Sequence, residues 1–396
     1  MGQSKNDKYI KFRHKVAFAL LRPLMGLGLR PLYNFKEKRF PLKKGDQYLI
    51  LSNHQSTMDP VLVCLSFHTP IYIVATDTLF KNKFWSKVLA YIVAPIPKRK
   101  AATDVACIKT MKKVASEGGS LMIFPEGNRT WADYQFAISP AISKMVKMMD
   151  IPLALYNIHG GYGVNPRWGH KLRRGKMTGE VVKVLSREEI KSLSNDDLYD
   201  IIVQNLRVID SDSKAIFESK KRAEYLEREL FICPCCKKWN TISSNGNFVS
   251  CSCGAKAEYT KDLQLESENH TIPFTKLVDW YRYQQKVVKE YNFVDEIIFE
   301  DCPVKLYDQS GKTKKLKLAE GKITLTREVL RVENFTIPVK EIVSKSVIGG
   351  CKLLLGTKDT SYFIVGHERF NPIKYALVLN RLETACEEDI YYGLDI

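Results

Sequence analysis

No apolar run in this sequence reaches the ~18–20 residues that a membrane-spanning helix requires. The most apolar stretches, 16–29, 61–75 and 88–97, are too short, and the first is interrupted by Arg22 and Pro23. No small-residue cleavage site follows Leu29, so no secretory leader is expected. No internal repeat is evident. Acidic residues are few beside basic ones, 44 against 61, and histidine is scarce at seven in 396 residues. Extensive disorder is excluded, because 45% hydrophobic and 11% aromatic residues supply ample surface for a core. At roughly 100–200 residues per domain, the length suits two or three domains.

The positive charge is unevenly placed. Residues 1–200 carry 32 Lys and Arg against 16 Asp and Glu, whereas 201–396 carry 29 against 28. Such a bias implies an acidic partner: nucleic acid, an anionic membrane surface, or an acidic carrier or substrate. Within 8–35, Lys11, Arg13, Lys15, Arg22 and Arg30 alternate with Phe12, Val16, Phe18, Leu20, Leu24 and Leu27. This pattern predicts one or two short helices, broken at Arg22-Pro23 and Arg30-Pro31, that lie in a bilayer interface. The plainer alternative is a helix packed on its own domain with solvated basic groups.

From residue 48 to 184 short apolar runs alternate with helical patterns. Strands are expected at 48–52, 71–75, 121–124, 152–158 and 180–185, and helices at 60–67, 83–92, 102–116 and 139–149. That alternation predicts an α/β fold with a mostly parallel sheet covered by helices. Residues 188–230 read as helical and highly charged, and 274–291 as a connecting helix. Short strands follow at 296–300, 304–307, 314–318, 322–326, 329–332, 352–356 and 361–365, then a helix at 372–382. They suggest a small β-rich, pleckstrin-homology-like module.

Two loops at strand ends carry polar groups suited to chemistry. Asn53–Met58 follows the first expected strand, with His54 five residues before Asp59. A histidine base needs a partner that fixes its tautomer and stabilises the imidazolium. On one continuous helix a five-residue offset points the side chains apart, so the pair cooperates only if the loop folds back. The alternative makes Asp59 a helix N-cap followed by Pro60. The second loop, Phe124-Pro125-Glu126-Gly127-Asn128-Arg129-Thr130, places Glu126 and Arg129 at the same sheet edge if the sheet is parallel. Arginine there suits a phosphate and glutamate a hydroxyl, unless the two simply pair with each other. Ser56 and Cys64 have no paired base and do not suggest a nucleophile.

Asn53-His54-x4-Asp59 followed by Phe124-Pro125-Glu126-Gly127-x-Arg129 resembles the first and third sequence blocks of the glycerolipid acyltransferases, most closely the 1-acylglycerol-3-phosphate acyltransferases. Ile96-Pro97-Lys98-Arg99 is similar to the second block and Ile151-Pro152-Leu153-Ala154 to the fourth. Asn128 and Thr130 stand where threonine and serine are usual, and a second proline of the fourth block is absent. The resemblance covers about residues 15–210. It implies that His54 is a general base oriented by Asp59, deprotonating the free hydroxyl of a lysophospholipid. The alkoxide then attacks an acyl thioester of coenzyme A or acyl-carrier protein. Glu126 and Gly127 would lie against the acceptor, with Arg129, Lys98 and Arg99 on its phosphate. No catalytic cofactor is implied.

Of the ten cysteines, five lie close together as Cys233-Pro-Cys235-Cys236 and Cys251-Ser-Cys253-Gly254. Two such knuckles across a hairpin resemble a zinc ribbon, with Cys233, Cys236, Cys251 and Cys253 as structural zinc ligands and Cys235 as the surplus. The short Cys251-x-Cys253 spacing leaves the quartet open, and a redox use is the alternative. The expected organisation is therefore basic interfacial helices (1–35), an acyltransferase domain (36–210), a helical linker (211–230), a zinc ribbon (231–260), a linker helix (261–291) and a β-rich domain with a C-terminal helix (292–396). The expected function is acyl transfer to 1-acylglycerol-3-phosphate, giving phosphatidic acid on the cytoplasmic face of an anionic membrane. Alternatives are another acceptor (glycerol-3-phosphate, another lysophospholipid or a non-phosphate alcohol), an inactive scaffold, or a nucleic-acid-binding zinc ribbon. Against the last, the charge lies in the first half rather than around the ribbon, so no nucleic acid is expected.

Overall fold

The structure, a computed structural model, describes residues 8–43, 45–76, 91–98, 104–133, 137–267, 272–294, 296–309 and 316–383. Its first part is a seven-stranded sheet of β1 (Phe35–Glu37), β2 (Leu49–Ser52), β3 (Ile71–Thr76), β4 (Ile96–Lys98), β5 (Ser120–Ile123), β6 (Leu153–His159) and β7 (Met177–Leu185), in the order β1-β7-β6-β2-β5-β3-β4. β6, β2, β5, β3 and β4 run parallel; β7 is antiparallel to β6 and parallel to β1. The fold is thus α/β with a mostly parallel sheet. Because β2, β3, β4 and β5 share a direction, the loops after them open on one edge.

Alternation along the central strands divides the core. Ile50, Met122, Ala154 and Tyr156 face one side, while Leu49, Leu51, Leu121, Leu153 and Leu155 face the other. The helices are α1 (Phe12–Tyr33), α2 (Asp59–Leu65), α3 (Val105–Ser116), α4 (Ala141–Met149), α5 (Gly161–Val164), α6 (Arg187–Ser192) and α7 (Asn195–Leu206). Met111 and Val114 of α3, Ile142 and Val146 of α4, and Leu198 and Ile202 of α7 cover the second face. Leu62, Val63 and Leu65 of α2 help cover the first.

Two helical expectations are corrected. The segment 12–33 is a single helix of 22 residues that continues through Pro23 and Pro31 rather than breaking at them. Both prolines lie on its exposed side, while packing of the opposite side on α2 carries the helix across them. Buried His14, Gly26 and Tyr33 mark the packed side, and Arg22 Nη1 donates to the Leu65 carbonyl at 3.0 Å. Helix also ends at Leu206, so 207–230 is not helical apart from two single 3-10 turns. Lys214, Lys220 and Lys221 are exposed, but two of its arginines are not. Arg222 is buried and donates to the Tyr259 carbonyl (2.8 Å), and buried Arg228 donates to the Trp168 carbonyl (2.7 Å). The segment is a strap whose backbone conformation follows these tertiary bonds rather than its helical propensity. The helix expected at 83–92 falls almost wholly outside the described residues.

Four short antiparallel strands follow, β8 (Ile242–Asn245), β9 (Phe248–Cys251), β10 (Lys256–Tyr259) and β11 (Leu265–Ser267), then α8 (Leu277–Glu290). The last sheet is fully antiparallel: β12 (Phe299–Asp308), β13 (Leu316–Leu325), β14 (Val329–Val332), β15 (Phe335–Pro338), β16 (Ser344–Ile348), β17 (Lys352–Gly356) and β18 (Ser361–Gly366), followed by α9 (Pro372–Glu383). The strands expected at 296–300 and 304–307 are one strand with a register shift between Asp301 and Val304. Those at 314–318 and 322–326 likewise merge into β13. The core facing α2 continues through Trp168, Phe231 and Trp280 into Phe299 and Leu306, joining all three sheets. No described helix is long and apolar enough to cross a membrane.

Candidate active site and metal centre

The loop after β2 folds back as the His54–Asp59 pairing requires. Asn53 starts it with a reciprocal pair of bonds to the backbone of Ile158, its Oδ1 accepting from N–H and its Nδ2 donating to C=O, both 2.8 Å. α2 begins at Asp59 itself, with Met58 at the cap position. The fully buried Asp59 carboxylate turns back toward the loop. Its Oδ2 accepts from the Gln55 and Ser56 amides (2.6 and 2.7 Å) and its Oδ1 from the Ser56 hydroxyl (2.5 Å). The same Oδ2 lies 2.9 Å from His54 Nδ1. Four donors therefore hold the carboxylate, and the imidazole is oriented by a group that cannot swing away.

The loop after β5 closes on the first. Gly127 has φ +67°, a left-handed conformation that disfavours any side chain, and its amide donates to the Phe124 carbonyl at 3.1 Å. Glu126 is buried, and its Oε1 accepts from the His54 amide at 2.9 Å. Thr130 donates back to the His54 carbonyl through its amide (2.8 Å) and hydroxyl (3.2 Å). The His54 ring packs against Phe124, centroids 4.3 Å apart. Glu126 thus joins the two loops through the backbone. Arg129 Nη1 donates to Asn165 Oδ1 at 3.2 Å. Burial lowers its pKa below the usual guanidinium range, while Asp59 and Tyr33 oppose that effect.

Lys98 ends β4, two strands from β5 in the sheet order and on the same edge. At ~4.8 Å per strand it stands about 10 Å from the β5 loop. Arg99 lies outside the described residues.

Several residues that build the site carry no motif. Gln55 Oε1 accepts from the Gly161 amide at 3.0 Å. Arg167, buried, donates to the Arg129 carbonyl at 3.0 Å and lies 4.2 Å over the Trp131 ring. Its other terminal nitrogen bonds the Val347 carbonyl in β16, so it reaches from the site loop to the last sheet. Asp133 accepts from the amides of Asp210 (2.9 Å) and Ser211 (2.7 Å), and Asp210 from those of Gly160 (2.7 Å) and Gly163 (3.1 Å). Burial, together with the adjacent Asp210, pushes the Asp133 carboxyl up to about 8. The only local sign of this pair is two lone aspartates 77 residues apart.

The four cysteines chosen from spacing converge. The Sγ atoms of Cys233, Cys236, Cys251 and Cys253 all lie within 4.8 Å of one another. Cys233–Cys253 are 3.8 Å apart and Cys236–Cys251 3.7 Å. Four sulfurs about 2.3 Å from a tetrahedral zinc would be about 3.8 Å apart, so the thiols fit such an ion. Cys235 is exposed and outside the cluster. Left-handed Lys237 and Gly254 (φ +59° and +94°) turn the two knuckles.

Residues 35–155, which contain both loops, match the family model described as Acyltransferase. A curated relative, the 1-acyl-sn-glycerol-3-phosphate acyltransferase of Borreliella burgdorferi, is 30% identical over 124 residues, 29% of this chain. The matched stretch spans about half, 48%, of that relative's length. Among solved structures, the 1-acyl-sn-glycerophosphate (LPA) acyltransferase PlsC of Thermotoga maritima is 18% identical with a TM-score of 0.39, over 50% of this chain and 81% of that one. Residues 35–155 are an acyltransferase domain.

Proposed function

We propose that the protein transfers an acyl group from a thioester to the free hydroxyl of 1-acylglycerol-3-phosphate, forming phosphatidic acid. The observation that carries this reading is the 2.9 Å contact between His54 Nδ1 and a buried Asp59 already held by three other hydrogen bonds. With Nδ1–H directed to Asp59, Nε2 keeps its lone pair for the substrate hydroxyl. His54 Nε2 takes the hydroxyl proton as oxygen attacks the thioester carbonyl. The tetrahedral intermediate collapses, the C–S bond breaks, and His54 returns the proton to the departing thiolate. Asp59 stabilises the imidazolium between these steps. No covalent acyl-enzyme is needed.

Arg129 is the group we assign to the acceptor phosphate, assisted by Lys98 at the end of β4 and by Arg99, the next residue in the sequence. Its partly desolvated guanidinium favours a phosphate more strongly than a solvated one would. Glu126 fixes the His54 loop and, with Gly127, borders the acceptor. The four-cysteine centre holds a structural zinc; it has no part in the proton transfers.

The substrate is presented at a lipid surface. α1 exposes Phe12, Leu20, Leu24 and Leu27, each more than 60% accessible, while its other side packs on the domain. An apolar stripe with Lys11, Arg13 and Lys15 nearby suits the interface of an anionic membrane on the cytoplasmic side. The test is acyl transfer to lysophosphatidate in mixed micelles, with acyl-coenzyme A and acyl-carrier protein as alternative donors. Phosphatidic acid from either donor supports the reading; product only with another acceptor would replace its acceptor assignment.

A further inference from the structure

A cavity of about 980 Å³ lies apart from the His54 loop, where three segments meet: Trp168–Arg174 after α5, the strap at Glu218–Tyr225, and Asn247 and Lys261 from the turns of the small sheet. Seven Lys and Arg line it, against two carboxylates. Both carboxylates are already engaged. Glu218 pairs with Lys261 at 3.1 Å, and Glu224 with Arg369 at 2.5 Å. Arg222 is paired with Glu258.

Lys171 and Arg174 on one wall, and Lys220 and Lys221 on the other, are exposed and pair with no described acidic side chain. The wall behind them is fixed. Arg173 is buried, stacks 4.8 Å over the Trp168 ring and donates to the Arg222 carbonyl at 2.6 Å. Arg174 and Glu218 exchange backbone bonds of 3.0 and 2.6 Å, clamping the two walls together. Like charges that line one cavity repel one another. A rigid arrangement of that kind is stabilised by an anion that several cations share.

We propose that this cavity binds a ligand bearing adjacent phosphate groups. A single phosphate is too small for a space of this volume, and its charge of about −2 falls short of four cations. Two or three linked phosphates can bridge Lys171 and Arg174 to Lys220 and Lys221. The concavity also favours a small ligand over an acidic protein surface. Such phosphates belong either to a free nucleotide or to the head of coenzyme A. The site does not depend on the acyltransferase reading.

The test is calorimetric titration of the full-length His54→Ala chain with inorganic pyrophosphate, ADP, coenzyme A and orthophosphate at low salt, so that no acyl transfer enters. Pyrophosphate should bind about tenfold or more tightly than orthophosphate, with affinity falling steeply as salt rises. The double variant Lys220→Glu/Lys221→Glu, exposed on the strap, should lose about tenfold or more while melting at the same temperature. Tighter binding of coenzyme A than of ADP would assign the site to the acyl donor; equal binding would assign it to a free nucleotide. No binding by pyrophosphate, ADP or coenzyme A, or binding unchanged in the double variant, would overturn the proposal. A second variant, Lys171→Ala, covers the case in which the strap variant melts early: unchanged affinity there would also count against it.

Discussion

The guanidinium of Arg167 donates to the backbone carbonyl of Arg129 at 3.0 Å and, from its other terminal nitrogen, to the carbonyl of Val347 in the last sheet. One buried side chain thus spans the Arg129 loop and a module more than two hundred residues further along the chain. Arg167→Ala should displace Arg129 without touching His54. The expected result is a KM for lysophosphatidate raised about tenfold with kcat changed less than about threefold. An equal fall in kcat with KM unmoved would contradict this positioning role. Arg167→Lys, which can still reach one carbonyl, should fall between the two.

The exposed stripe of α1 gives a second expectation. Burying a leucine in an apolar phase is worth about 1.5–3 kcal/mol, so Leu20→Ser with Leu24→Ser should reduce sedimentation with anionic vesicles by at least about tenfold. Activity on a fully detergent-solubilised acceptor should be retained. Undiminished vesicle binding would remove the helix from the interface.

Metal analysis should find about one zinc per chain. Cys236→Ser should lower that content and the melting temperature, whereas Cys235→Ser, outside the cluster, should do neither. A metal-free chain with an unchanged melting temperature would rule out the structural zinc.

The buried pair Asp133 and Asp210 predicts a pH dependence of stability. Asp133 is raised by burial and by Asp210 to about 8, from 3.8. Between those values the folded chain holds a proton that the unfolded chain has released. Stability is therefore greatest below about pH 4 on this account alone, and this contribution is lost as pH rises through 8. The melting temperature should drop by several degrees between pH 6 and 9. Asp133→Asn, which imitates the protonated form, should flatten that profile, and a parallel profile in the variant would contradict the assignment.

The parallel sheet and its two loops were legible because their signals are local. Apolar runs such as Leu49–Ser52 and Leu153–His159 form buried strands, and Gly127 marks a turn that its positive φ requires. The cysteine quartet was readable for the same reason, each knuckle being contiguous. What escaped depends on distant partners. β1 and β4 are three-residue edge strands too short to show alternation. The strap at 207–230 reads as a highly charged helix, yet Arg222 and Arg228 are buried on carbonyls from other elements. Arg167, Asp133 and Asp210 support the site across gaps in sequence that no short pattern spans. The continuity of α1 through Pro23 and Pro31 escaped as well, because packing along the opposite side outweighs their disruptive tendency.

The most direct test of the central claim is acyl transfer to lysophosphatidate by the wild-type chain and by His54→Ala, with the melting temperature of each. Loss of the general base should lower kcat by about two to four orders of magnitude, while the melting temperature stays within a few degrees, because His54 joins the loops through its backbone. Near-normal turnover by a folded His54→Ala chain would contradict the account.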